Sequence, residues 1–313
     1  MNVNWQGVIP AITTPFDRDL AVDVGFLAQH ARWLVDHGCT GLVPLGSLGE
    51  SATLEPAEKR NILETCVNSV GDAVPVIAGI AALGTAEAVA LARDARAIGC
   101  SGLMVLPPYV YSTDWPEMKA HVKAVIAATD LPCMLYNNPV AYRTDFLPRH
   151  VAELAGELPN LQAVKESSTD VRRVTAIRAL LGPRLNILVG VDDAIVEAVE
   201  VGATGWIAGL VNAFPVESIA LYRCAIEGRK DEAFALYRWF LPLLRMDTVP
   251  KFVQLIKLAQ QRVGMGNDRV RPPRLPLCGD ELREAMAVLD RALAERPAVR
   301  GDQRQSRASE SVR

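Results

Sequence analysis

The most chemically suggestive stretch of this chain is a lysine at the end of a short apolar run, followed at once by hydroxyl residues: Val164-Lys165-Glu166-Ser167-Ser168. The run Leu161-Gln162-Ala163-Val164 reads as a buried strand that delivers the amine at its C-terminal end. There the amine has two fates. Reaching water, it stays a solvated ammonium, as most lysines do. Held in an apolar mouth, it is disfavoured as a cation by desolvation, and the neutral amine can attack a carbonyl carbon.

Two further groups suit the second fate. Tyr136 ends the apolar run Cys133-Met134-Leu135-Tyr136. On an adjacent parallel strand, about 4.8 Å away, its phenol would reach the atoms attached to the lysine nitrogen and move protons there. The competing reading is a tyrosine packed at a strand end. Gly46-Ser47-Leu48-Gly49 is either an ordinary tight turn or a nest of inward N–H groups suited to a carboxylate.

These residues need a scaffold that brings strand ends together. Apolar runs near 7–13, 41–44, 74–79, 101–106, 133–136, 161–165, 186–190 and 204–209 alternate with helical patterns, giving eight strand-then-helix units. In the first helix Phe26, Leu27, His30, Trp33 and Leu34 share a face, with Asp23 before them as a cap. Right-handed βαβ units imply a parallel sheet, and eight of them close into a (β/α)8 barrel with its site at the C-terminal strand ends. The mouth would then hold Thr13, Thr14, Ser47, Gly79, Tyr109, Tyr136, Lys165, Gly190 and the 207–209 segment, with Glu50 and Glu166 as its other charges. An open doubly wound sheet would want a glycine fingerprint after its first strand, and none stands there.

Beyond about Ile226 the pattern is helical only, over 230–244, 249–263 and 280–294. The expected organisation is an α/β barrel over 1–225, a C-terminal helical domain over 226–296, and a polar disordered tail over 297–313.

The 313 residues carry a net charge of −3 with both signs dispersed, which offers no footprint for nucleic acid or an anionic membrane. No apolar run reaches the roughly 18 residues of a spanning helix, and the N-terminus lacks the basic flank and apolar centre of a signal peptide. A cytoplasmic protein is expected. The six cysteines and four histidines are scattered without ligand spacing, so reduced thiols and no metal site are expected. Asp192 and Asp193 read as helix-capping residues.

Gly-Ser-Leu-Gly-Glu-Ser at 46–51, Tyr-Asn-Asn-Pro at 136–139, Val-Lys-Glu-Ser at 164–167, Val-Gly-Val-Asp-Asp at 189–193 and the opening Pro-Ala-Ile-Thr-Thr-Pro-Phe together resemble the dihydrodipicolinate synthase and N-acetylneuraminate lyase family over residues 5–295. The resemblance implies a (β/α)8 TIM barrel with a C-terminal helical domain, a homo-tetramer or dimer, and lysine Schiff-base chemistry on a small 2-oxo acid without a cofactor or metal. It assigns Lys165 as the Schiff-base amine, Tyr136 as the proton carrier, Ser47 and the backbone at Leu48 as the carboxylate turn, and Ile207 as a residue whose carbonyl lines the pocket.

The departures narrow the reading. Leu48 replaces the second hydroxyl residue of the turn, Val110 a tyrosine relay, and Ala141 an arginine for a second substrate, with Arg143 two places further on. The Val110 substitution, Asn137-Asn138-Pro139 and Asp247-Thr248-Val249-Pro250-Lys251 resemble catabolic members of the family. The specific expectation is a deaminase that converts the cyclic imino acid 1-pyrroline-4-hydroxy-2-carboxylate to 2-oxoglutarate semialdehyde and ammonia. A 2-keto-3-deoxy acid aldolase or dehydratase, dihydrodipicolinate synthesis itself, and a non-catalytic 2-oxo acid sensor are the alternatives.

Overall fold

Seven short apolar runs form strands: β1 Gly7–Pro10, β2 Ile77–Ile80, β3 Gly102–Val105, β4 Cys133–Asn137, β5 Leu161–Glu166, β6 Asn186–Val189 and β7 Gly205–Ala208. The computed structural model describes residues 3–108 and 114–299. Tyr109, Val110 and most of the expected tail, 300–313, lie outside the described residues.

Every residue of β2, β3, β4 and β7 is buried, as expected of parallel strands covered on both faces. All neighbours pair in parallel, in the order β1-β7-β6-β5-β4-β3-β2. The expected second strand, around 41–44, makes isolated bridges to both sides, Ala11 to Val43 and Leu42 to Val76. Val43 N–H donates to Pro10 O at 2.8 Å, and Ile77 N–H donates to Leu42 O at 2.8 Å. Residues 40–44 thereby link the two edges of a curled parallel sheet, an arrangement consistent with a (β/α)8 barrel. No longer strand forms here, because Pro44 has no N–H to donate and Leu45 turns the chain at φ 63°.

The helices follow the expected pattern with shifted ends. The first spans Val24–Asp36, with Asp23 accepting from Phe26 N–H at 2.9 Å and Leu27, His30, Ala31 and Leu34 buried. The helix expected from Thr53 begins at Pro56, where a fixed φ suits the first turn and Glu58 accepts from Glu55 N–H. Among the C-terminal helices, Lys230–Leu244 and Gly279–Ala294 lie close to expectation. The one expected from Val249 spans Phe252–Arg262, preceded by the 3-10 turn Arg245–Asp247 and bends over 248–251.

These C-terminal helices are bound to the barrel by buried polar contacts. Thr13 Oγ1 donates to Gln260 Oε1 at 2.8 Å, and Lys257 Nζ donates to Glu50 Oε1 at 2.5 Å. Among the described residues no helix is long and apolar enough to cross a membrane.

Candidate active site

The register of β4 against β5 sets Tyr136 directly opposite Lys165. Both are almost fully buried, at 4% and 6% exposure, and Lys165 Nζ stands 4.1 Å from the centre of the Tyr136 ring. Tyr136 Oη accepts from Asn138 Nδ2 at 3.0 Å, so the phenol is oriented by the residue that caps the short helix Pro139–Tyr142. Gly190, at the end of β6, makes room for the lysine. A Cβ there would fall 2.2 Å from both Lys165 Cε and Ser167 Oγ. Ser167 is 2% exposed, and its Oγ has no hydrogen-bond partner among the described residues.

A cavity of 530 Å³ lies over these groups, and Ser47, Leu48, Tyr136, Lys165 and Ile207 all line it. The five residues expected at the site are thus brought together. Leu48 and Ile207 are buried apolar walls. Ser47 Oγ hydrogen-bonds Tyr142 Oη, and the Tyr142 ring meets Tyr136 edge to face at 5.8 Å. Ala141 and Tyr142 line the cavity, whereas Arg143 is exposed, turns the chain at φ 62° and is not among the lining residues.

Of the two acids expected at the mouth, Glu50 lines the cavity, buried in a pair with Lys257, and Glu166 is not among the lining residues. Glu166 turns to Asn137 Nδ2 and to Ser168 N–H, and burial raises its pKa despite those bonds. Asp192 makes no cap for the 3-10 turn Asp192–Ala194. Its carboxylate accepts from Trp206 Nε1 at 2.9 Å, Gly209 N–H at 3.1 Å and Leu210 N–H at 2.7 Å. Burial nevertheless lifts its pKa to about 6, the hydrogen bonds and Lys165 opposing the rise.

Sequence reasoning missed Asp247 and Arg274 as lining residues, and Tyr142 as the partner of Ser47. Arg274 stands 3.7 Å from Glu50. Asp247 belongs to a family-like segment in the sequence, and its distance along the chain from the strand ends gives no sign of its place on the cavity wall. Among the described residues no group of three or more His, Cys, Asp or Glu is arranged to hold a metal ion.

Similarity to known proteins runs over nearly the whole chain. It is 33% identical to the 4-hydroxy-tetrahydrodipicolinate synthase of Moorella thermoacetica, over 94% of this chain and 99% of that one. Against the enzyme of the same name from Pelobacter propionicus it is 30% identical, over 91% of this chain and 97% of that one. The fold superposes with TM-score 0.88 on the chloride-inhibited dihydrodipicolinate synthase of Acinetobacter baumannii complexed with pyruvate, at 27% identity over 92% of this chain and 99% of that one. With a prophage protein of the dihydrodipicolinic acid synthase family from E. coli K12, also complexed with pyruvate, the TM-score is 0.87 at 26% identity, over 92% and 99% of the two chains. The sequence profile of the dihydrodipicolinate synthetase family matches residues 4–292, and the chain belongs to that family of class I Schiff-base lyases.

Proposed function

We infer that Lys165 is the amine of a Schiff-base lyase acting on a small 2-oxo acid or cyclic imino acid, with Tyr136 as its proton carrier. The observation that carries this reading is the buried amine 4.1 Å over the Tyr136 ring, on the wall of an otherwise largely apolar cavity. Gly46, Ser47 and Leu48 line the same cavity, and a glycine-rich turn of this kind suits the substrate carboxylate. Ile207 also lines the cavity.

Within this class we read the reaction as deamination of 1-pyrroline-4-hydroxy-2-carboxylate. Two features support it: Ala141 stands where a second-substrate arginine would, and Arg143 is not among the residues lining the cavity. Lys165 adds to C2, and the ring C2–N bond breaks, giving a lysine imine with a free amine on C5. Tyr136 takes a proton from C3, and the enamine electron pair expels the C4 hydroxyl as water. Tautomerisation moves the unsaturation to C5 as an imine. Water then hydrolyses the C5 imine to release ammonia and the lysine imine to release 2-oxoglutarate semialdehyde. One water leaves and two enter, so the overall reaction consumes one.

The second reading is 4-hydroxy-tetrahydrodipicolinate synthesis. It is favoured by the names of relatives that match this chain over nearly their full length, and Arg274 on the cavity wall is a cation for a distal carboxylate.

Borohydride reduction with each substrate, followed by peptide mapping, tests the common step. A reduced adduct on Lys165 is expected from the pyrroline and from pyruvate, with ammonia released from the pyrroline when borohydride is omitted. Pyruvate-dependent consumption of aspartate semialdehyde without ammonia release would favour the second reading, and no adduct on Lys165 would overturn both.

A further inference from the structure

Among the described residues, Asp247 is the one acidic side chain on the cavity wall that the proposed chemistry leaves unused and that is not held in an ion pair. It comes from outside the strands, on the 3-10 turn Arg245–Asp247 that joins two C-terminal helices. The carboxyl lies against the backbone of Gly209, just past the end of β7. A Cβ on Gly209 would fall 2.0 Å from Asp247 Oδ1, so any side chain there would push the carboxyl from this position. Among the described residues no hydrogen bond reaches this side chain.

The strand order fixes its relation to the reacting amine. Tyr136 stands on β4, Lys165 on β5 and Gly209 beyond β7, with β6 between the last two. The phenol and the Asp247 carboxyl therefore come to the cavity from opposite sides of the Lys165 strand. The groups facing Asp247 are Asp192 and Asp193 from the turn after β6, and Lys165. Asp193 is itself 3.5 Å from Arg245. Burial first and repulsion from Asp192 second raise the Asp247 pKa well above the carboxylate range, against the pull of Lys165. The shift favours the protonated acid on the cavity wall.

We propose that Asp247 is the catalytic acid that protonates the oxygen leaving from the lysine-bound substrate. This role rests on the deaminase reading, in which a hydroxyl must leave from C4. As the C4–O bond breaks, its electron pair departs with the oxygen, which takes the Asp247 proton and leaves as water. The enamine pair closes the C3–C4 double bond and restores the lysine imine. The carboxylate remaining on Asp247 then accepts the C5 proton during tautomerisation, which returns the acid to its starting state.

The test compares wild type and Asp247→Asn for pyruvate adduct formation on Lys165 under borohydride, and for ammonia release from 1-pyrroline-4-hydroxy-2-carboxylate as a function of pH. The amide keeps the shape of the carboxyl and cannot donate an acidic proton. Expected is an adduct yield within about 3-fold of wild type, a fall in ammonia release of roughly 100-fold or more, and loss of the alkaline limb that deprotonation of Asp247 gives the wild-type profile. Ammonia release within a few-fold of wild type would overturn the assignment. So would parallel loss of adduct and ammonia release, which would make Asp247 a support for the amine. Wild-type enzyme that forms the adduct yet releases no ammonia overturns the deaminase reading, and the C4 role of Asp247 with it.

Discussion

Glu50→Gln isolates a charge that the fold has taken out of water. Glu50 and Lys257 are exposed by only 0% and 2% at their side chains and meet at 2.5 Å. Lys257 Nζ also donates to Arg269 O at 2.7 Å and stands 4.3 Å over the Phe16 ring. Even with its partner, burial lowers the Lys257 pKa from 10.5 to about 8. At about 1.4 kcal/mol per pKa unit, the folded state already bears roughly 3 kcal/mol for holding this ammonium near neutral pH. Glutamine preserves volume and a hydrogen-bonding oxygen but withdraws the attraction that opposes that cost. Removing one partner of a buried pair typically destabilises by about 3–5 kcal/mol, so a loss of about 3 kcal/mol is expected in urea unfolding at pH 7. The deficit is expected to shrink as pH rises. The folded-state lysine pKa in the variant lies further below 10.5, and between the two values the unfolded chain binds more protons, so stability climbs with pH through that window. Glu50→Gln/Lys257→Met, with no charge left to bury, is expected to recover most of the loss. A single variant within 1 kcal/mol of wild type, or a double variant no more stable than the single, would refute the reasoning.

Two further substitutions address the reacting groups. Tyr136→Phe keeps the ring beneath Lys165 but removes the hydroxyl. It is expected to retain the borohydride-trapped adduct while turnover falls roughly 100-fold, and unchanged turnover would remove the phenol from the proton path. Gly190→Ala places a methyl 2.2 Å from Lys165 Cε and Ser167 Oγ, which must then shift. Adduct formation is expected to drop at least about 10-fold with the far-UV circular dichroism unchanged, and a wild-type adduct rate would show that the lysine does not need that space.

The strand-borne part of the site was legible because its cause is local. An apolar run that carries a polar residue near the C-terminal edge of a parallel strand predicts that the residue reaches the mouth, and Tyr136 and Lys165 line the cavity as expected, with Ile207 beside the end of β7. The turn residues Ser47 and Leu48 followed from the same argument one step removed. What escaped was decided by tertiary packing. The segment 40–44 reads as a strand like the others, yet Pro44 and the left-handed Leu45 limit it to bridges. The Asp192-Asp193 pair looks like a helix cap, but Trp206 and the Gly209 and Leu210 N–H groups compete for the first carboxylate and win it with a set of buried donors. No periodicity announces that competition, because its partners lie 14 to 18 residues away.

The same logic explains why helices that read as an appendage furnish part of the mouth. A barrel of short strands leaves loops whose buried polar groups need partners, and here several come from beyond residue 244: Gln260 for Thr13, Lys257 and the Arg271 N–H for Glu50. Those contacts hold the second half of Phe252–Arg262 and the segment after it against the barrel. The 3-10 turn ahead of that helix places Asp247 against the glycine that follows β7. Asp192 fixes that glycine by accepting its N–H, so the carboxyl that anchors the loop also raises the proton affinity of the carboxyl that faces the cavity. Structure and chemistry at this corner are therefore coupled through charge: a substitution that relaxes Asp192 lowers the repulsion on Asp247 and makes it a weaker proton holder, even where every strand stays in place.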